Sequence, residues 1–127
     1  MRSRYAAFAL GLGGYLYDTL AADHPDRAAA REPVAQMLSR ARESQRFLAL
    51  TILDAPSPAG DEGEVLFFAR IFSRGADQSF AELSRFVKED GAWRYASGVL
   101  LQRPELPEDP TMLDRGTFLA LGARLRS

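Results

Sequence analysis

A carboxylate on a predicted strand is the residue best placed to do chemistry. Glu82 and Ser84 occupy alternate positions of this strand and therefore share a face. Phe80 and Phe86 lie on the same face, whereas Arg85 lies on the opposite one. A carboxylate between two phenylalanines is expensive to bury unless it is paired or protonated. A buried Glu82 could therefore act as a general acid or base.

Glu82 also has two structural interpretations. It could lie on the solvent face of the sheet, or it could pair with an arginine such as Arg4, Arg70 or Arg94. Structural ion pairs are commoner than catalytic carboxylates. A structure in which Glu82 is fully solvated would exclude acid–base chemistry at this residue.

Arginine and serine open the first predicted helix as Arg2, Ser3 and Arg4. A cation at a helix N-terminus interacts unfavourably with the helix dipole, so these arginines could have a specific binding partner. Arg4 could hold a carboxylate of the sheet, or it could bind an anionic ligand through its planar guanidinium.

The single histidine and the aromatic residues supply further candidates. His24 could carry a proton, because histidine is the side chain suited to proton transfer near neutral pH, but beside Pro25 it could instead anchor a turn by a hydrogen bond. Tyrosine and tryptophan rings could line a pocket mouth and donate to a ligand, or they could fill the core. The candidate pocket residues are Arg4, Tyr5, Tyr15, Tyr17, Ser84, Arg85, Trp93 and Tyr95.

Other chemistries find no support in the composition or the motifs. The chain has no cysteine, one histidine and a formal net charge of -1, so we predict no metal site, no nucleic-acid partner and no membrane partner. We predict no cofactor either, because phosphate-loop, serine-elbow and nicotinamide motifs are absent. The apolar run from Tyr5 to Leu10 ends early at glycines, which favours a core helix over a signal peptide. We therefore expect a cytoplasmic protein, with which the absence of cysteine is compatible.

The first half of the chain has helical periodicity. We predict helices over residues 1–10 and 15–22 and over about 27–44, with Pro33 marking a true start of the third near Arg31 or Glu32. Asp26, after a turn at Asp23 to Pro25, is the predicted cap of that third helix.

The second half has the pattern of strands. Residues 47–53 form a continuous apolar run that predicts a strand covered on both faces, and further strands are predicted over 65–72, 80–88 and 93–101. Asp90 and Gly91 predict a tight hairpin turn between the last two. Helices followed by strands indicate an α+β domain.

The remaining residues form a tail. Residues 104–110 contain three prolines and predict a linker, and Thr111 to Asp114 resembles a capping box before a final helix. We therefore expect a domain over 1–103 and a linker and helix over 104–127 that dock on it.

Two stretches resemble a known family. Residues 1–11 are similar to the opening of the YchJ-like core domain, and residues 82–93 are similar to its central hairpin. The resemblance, which His24 and Pro25 also fit, covers residues 1 to about 101. It implies the cone-shaped fold of nuclear transport factor 2: three helices packed on a curved, mostly antiparallel four-stranded sheet.

This sequence departs from the family pattern. Relatives carry cysteine-rich SEC-C zinc modules that these residues lack, so functions of those modules are not expected to carry over. The family also tends to have a histidine where this chain has Ala81.

The leading functional expectation is a small ligand-binding or adaptor domain without turnover. The alternative is an acid–base enzyme of the ketosteroid-isomerase or hydratase style, with Glu82 or His24 as the base and a tyrosine as the oxyanion donor. A second alternative, implied by the relatives' zinc modules, is an accessory protein linked to secretion or translation. An unidentified small molecule is the expected partner, and a homodimer could form through a sheet face that carries Phe68 and Phe72 or Phe80 and Phe86.

Overall fold

A computed structural model describes residues 1–126, with side chains at all of them except positions 41 and 124–126. The N-terminal part is helical. Helices α1 (Arg2–Leu10), α2 (Gly13–Asp18), α3 (Arg31–Ser39) and α4 (Ala41–Ser44) follow one another, with a 3-10 turn at Pro25–Ala28 between α2 and α3. Helix α3 begins at Arg31 and places Pro33 in its first turn, as predicted.

An open antiparallel sheet follows the helices. Its strands are β1 (Arg46–Asp54), β2 (Glu62–Ser73), the two-residue β3 (Ala76–Asp77), β4 (Phe80–Glu89) and β5 (Ala92–Gln102). The order across the sheet is β1-β2-β4-β5, and β3 pairs with β2. Asp90 and Gly91 join β4 to β5 with positive φ angles of 51° and 80°. The predicted hairpin and the predicted α+β class are confirmed.

The two faces of the sheet are covered by different parts of the chain. On the first, which we call the helix-covered face, Phe67, Ala69 and Ile71 of β2 pack with Tyr5 of α1. On the second, the tail-covered face, Leu66 and Phe68 of β2 pack with residues that follow β5. Alternation along β2 therefore sends neighbouring side chains into two separate clusters.

The tail-covered face is built by the C-terminal segment. After β5 come 3-10 turns at Arg103–Glu105 and Pro110–Met112 and the helix α5 (Arg115–Arg126). Leu106, Leu113 and Phe118 are buried in one cluster with Leu66 and Phe68, and Phe118 is fully buried. Within residues 1–126, no helix is both long and apolar enough to span a bilayer.

Four details of the predicted helices differ from the structure. The second helix covers Gly13–Asp18 rather than residues 15–22. The third helix is interrupted at Arg40, so α3 and α4 replace one continuous helix to residue 44. Asp26 does not cap α3; its N-cap is Ala30, which makes no side-chain hydrogen bond. The predicted capping box at Thr111 is also wrong, because Asp114 caps α5 by accepting from the amide of Thr117 at 2.8 Å.

The prediction that the first strand is covered on both faces is wrong. Strand β1 lies at the edge of the sheet, beyond β2. Leu48 is half-exposed, and Ala49 and Thr51 are exposed. An apolar run does not show whether a strand lies in the centre of a sheet or at its edge, where fewer neighbouring residues cover its side chains.

Candidate functional site

Glu82 lies on the helix-covered face and is held by two hydroxyl groups. Its Oε2 accepts a short hydrogen bond from Ser84 Oγ and a second from Tyr95 Oη at 2.9 Å. Glu82 is half-buried, whereas Ser84 is fully buried. Among the described side chains no arginine forms a salt bridge with Glu82. Glu82 is therefore neither fully solvated nor ion-paired.

A bulge in β5 brings Tyr95 onto the face of Glu82. Arg85 pairs with Ser97 but the next residue, Phe86, pairs with Tyr95, so that Ala96 is left without a partner in the ladder. Regular alternation would have placed Tyr95 and Gly98 on opposite faces. The extra residue turns the Tyr95 ring toward the helices, as bulges commonly re-aim a side chain.

Gly98 makes room for the pair. It stands opposite Ser84 in the ladder. A Cβ at position 98 would overlap Glu82 Oε2 and would lie 2.6 Å from Tyr95 Oη. The Glu82–Tyr95 hydrogen bond therefore requires glycine at this position, and any side chain would displace one of the two groups.

The environment of Tyr95 keeps its hydroxyl protonated. Burial raises the pKa of the Tyr95 phenol far above its ordinary value, and the charge of Glu82 and its hydrogen bond raise it further. Arg4, with Cζ 4.9 Å from the ring centroid, acts in the opposite direction. Tyr95 is therefore a hydrogen-bond donor throughout the neutral pH range.

The loop after α2 brings His24 to the same place. The backbone amide of Ala21 donates to Tyr95 O at 2.7 Å, and the Tyr95 amide donates to Thr19 O at 2.8 Å. The His24 ring centroid is 5.7 Å from that of Tyr95. His24 Nδ1 accepts from the Asp26 amide at 3.1 Å, so the neutral ring carries its proton on Nε2. The predicted anchoring of the turn by His24 is what the structure shows.

These groups face a cavity of about 210 Å³, which we call the acid chamber. Its polar lining comes from Glu82, Tyr95, His24, Tyr5, Arg4 and Asp26. Tyr5 Oη is buried and has no hydrogen-bond partner among the described residues, and burial raises the pKa of this phenol. The rest of the wall is mainly apolar, from Phe8, Leu20, Leu38, Phe47, Phe67, Ile71 and Phe80.

A second cavity of about 350 Å³, the arginine chamber, adjoins the first. Arg4 lines both chambers and is only 7% exposed. Its Nη1 donates to Leu16 O at 2.9 Å and to Thr19 Oγ1. Burial lowers the pKa of the Arg4 guanidinium, although arginine stays charged at any working pH. Tyr15 and Trp93 also line this chamber.

Three predicted pocket residues lie outside both chambers. Ser84 donates to Glu82 but lines neither chamber. Tyr17 is buried against Leu20 and Val34, and its hydroxyl donates to Ala29 O at 3.1 Å. Arg85 is exposed on the face opposite Glu82 and forms a salt bridge with Glu62 at 3.1 Å. In the part of the chain that is described, no group of three or more carboxylate and imidazole side chains is arranged to hold a metal ion.

Sequence reasoning missed Gly98, Thr19 and the apolar wall of the acid chamber. Gly98 carried a usable signal, because a glycine inside a regular strand often marks a bulge or a close approach of another group. Thr19 carried none, since its contact with Arg4 depends on how α1 packs against α2.

Comparison with known proteins identifies the family. The family described as YchJ, middle NTF2-like domain, matches residues 1–98. This chain belongs to the YchJ family. A UPF0225 protein of Chromobacterium violaceum is 39% identical over 102 residues, which are 79% of this chain and 70% of the relative. The UPF0225 protein VV1358 of Vibrio vulnificus is 34% identical over 125 residues, 96% of this chain and 70% of the relative.

A solved relative confirms the predicted fold of this YchJ family member. The solution structure of RPA3114, a SEC-C motif containing protein from Rhodopseudomonas palustris, superimposes with a TM-score of 0.64 at 38% identity. The match covers 78% of this chain and 73% of that one. The chain thus has the NTF2-like α+β fold, and the sequence resemblance to the YchJ core domain is confirmed.

Proposed function

We propose that this domain binds a small molecule in the acid chamber, with Glu82 as the polar anchor. The observation that carries the proposal is a half-buried carboxylate at the wall of a largely apolar cavity. Tyr95 and Ser84 both donate to Oε2. Among the described residues, Oε1 has no hydrogen-bond partner, so it can accept from a ligand.

The chamber also indicates the class of ligand. A carboxylate accepts hydrogen bonds, so the ligand should present an amine, amide or hydroxyl donor to Glu82. The surrounding phenylalanines favour an apolar body. The volume of about 210 Å³ lies below the usual range for drug-sized ligands, so we expect a compact molecule.

An acid–base enzyme is a second candidate, because a carboxylate, a phenol and an imidazole line the same cavity. In this alternative Glu82 or His24 removes a proton, and Tyr95 stabilises the developing oxyanion. Tyr95 already donates its only hydroxyl proton to Glu82, so it would have to release this bond to serve a substrate. That competition makes binding without turnover the better supported function.

The remaining expectations stay predictions. A role linked to secretion or translation draws on relatives such as the SEC-C motif containing protein of known structure, and no residue described above carries it. Location in the cytoplasm is likewise a prediction. A homodimer through the sheet face is a prediction that light scattering can test, although Phe68, Phe80 and Phe86 pack within the chain itself.

Nuclear magnetic resonance with matched probes tests the proposal. Benzylamine, benzyl alcohol and benzoate share one ring and differ in the group they would present to Glu82. We expect the first two to shift the backbone amide of Gly98 and benzoate to leave it unchanged. Glu82→Gln should weaken benzylamine binding by about tenfold, the cost of a charge-assisted hydrogen bond. The proposal would be contradicted if all three probes bound equally, or if benzylamine bound the wild type and Glu82→Gln with equal affinity.

A further inference from the structure

Arg4 is a buried cation that forms no salt bridge with any described side chain, although the charge of Glu82 acts on it at longer range. The side chain is 7% exposed. Its contacts are a carbonyl oxygen, a threonine hydroxyl and the face of the Tyr95 ring. A charge this deep normally has a partner, because burial removes it from water.

The guanidinium also keeps most of its donors free. Both recorded hydrogen bonds come from Nη1, to Leu16 and Thr19. Nε and Nη2 make no hydrogen bond with any described residue. Because Arg4 lines the arginine chamber, these donors are available to a planar, two-oxygen acceptor placed there.

Two more donors line the same chamber. Ser3 Oγ accepts from Tyr15 Oη at 2.8 Å, which leaves the proton of the Ser3 hydroxyl free to donate. The indole of Trp93 can donate only, and Trp93 lines the chamber together with Gly63 and Val65. Glu64 is the acidic residue of the lining, and Arg115 neutralises it at 2.9 Å.

We propose that the arginine chamber binds the carboxylate of a small amphipathic organic acid, with Arg4 as the cation that holds it. Val65, Phe86 and Pro56 provide the apolar wall for the body of the acid. Arg4 is the only cationic side chain in the described lining, which suits the single charge of a carboxylate. This site adjoins the donor-binding site at Glu82, and Arg4 lines both chambers. Glu82→Gln and Val65→Phe, which each alter one chamber only, distinguish the two proposals.

Trp93 makes the proposal measurable, because it is the only tryptophan in the chain. The probes are 4-phenylbutyrate, 4-phenylbutyramide and 4-phenylbutylamine, which share a body and differ in charge. We expect 4-phenylbutyrate to shift the indole N–H resonance of Trp93 and to bind about tenfold more tightly than the amide. The amine should not bind in this chamber. Equal affinities for the three probes, or no Trp93 shift at millimolar 4-phenylbutyrate, would overturn the proposal.

Two variants test whether Arg4 itself, rather than the overall charge of the protein, causes the preference for the acid. Arg4→Gln should remove the preference for the acid over the amide, whereas Arg2→Gln, the same charge change at an exposed position of the same turn, should preserve it. If Arg4→Gln does not fold, Val65→Phe provides the test, because it fills the chamber and should abolish binding of 4-phenylbutyrate. Glu82→Gln should leave this binding intact. A preference that survives both Arg4→Gln and Val65→Phe would overturn the assignment.

Discussion

The two faces of the sheet are covered in opposite ways. On the tail-covered face, Phe118 and Leu66 are fully buried in a cluster of apolar side chains. On the helix-covered face, Arg4, Ser84 and Glu82 lie among aromatic rings beside two cavities. A protein that needed only stability would pack both faces alike, since cavities and buried charges both cost free energy. We infer that the first face holds the fold together and the second is kept open for ligands.

The largest expected effect comes from removing the centre of the packed face. Phe118→Ala should lower the free energy of unfolding by about 3–5 kcal/mol, because it deletes a fully buried ring and leaves a cavity. Urea unfolding measures the loss. Leu119→Ala, one residue along α5 and partly exposed, is the control and should cost less than about 1 kcal/mol. Similar losses for the two variants would show that α5 does not form the core of this face.

Gly98→Ala should damage the open face without touching the packed one. The added methyl group displaces Glu82 or Tyr95, which should cost about 1–3 kcal/mol and abolish benzylamine binding. Gly116→Ala in α5 is a matched control, since its Cβ would meet no atom closer than 3.7 Å. That control should change stability by less than about 1 kcal/mol and leave binding unaltered. Benzylamine binding to Gly98→Ala at wild-type affinity would refute the assigned geometry.

Tyr95→Phe tests the hydrogen bond by itself. At neutral pH we expect a loss of about 0.5–1.5 kcal/mol, the usual value for one hydrogen bond. The pKa of Tyr95 is higher in the folded protein than in the unfolded chain, so the unfolded state releases this proton first as the pH rises. Wild-type stability should therefore fall above the ordinary tyrosine pKa of 10.0.

The pH dependence supplies its own control. Tyr95→Phe should lose less stability between pH 9 and pH 11, on the order of 1 kcal/mol less, because it lacks this titration. Tyr15→Phe removes an exposed hydroxyl and should follow the wild-type curve. Urea midpoints at the two pH values suffice, and parallel curves for wild type and Tyr95→Phe would contradict the buried position of the phenol.

The smallest effect is expected at Arg85. Arg85→Gln removes an exposed salt bridge with Glu62, which should change stability by less than about 1 kcal/mol. Binding of benzylamine and of 4-phenylbutyrate should not change. An altered affinity for either probe would show that Arg85 reaches a chamber after all, and would weaken the distinction between the faces.

Periodicity was sufficient to predict the architecture and the residues that share a face with Glu82. Alternation along β4 separates Glu82 and Ser84 from Arg85, and the structure shows this separation. The glycine turn at Gly91 follows from backbone sterics alone. Both are local properties of the chain, so a single sequence is enough to find them.

The partner of Glu82 could not be predicted in this way. Tyr95 reaches the carboxylate only because β5 bulges at Ala96, and the bulge is a property of the paired strands rather than of either strand. The role of Arg4 depends similarly on the packing of α1 against α2. Long-range geometry of this kind leaves no periodic signal in the sequence.

Native mass spectrometry of gently purified protein, compared with the denatured mass, tests the central claim most directly. We expect an additional mass that is lost on denaturation and is reduced in both Glu82→Gln and Gly98→Ala, but not in Gly116→Ala. A wild-type chain without bound mass, even after incubation with benzylamine or 4-phenylbutyrate, would contradict it. The helix-covered face would then be a loosely packed core rather than a binding site.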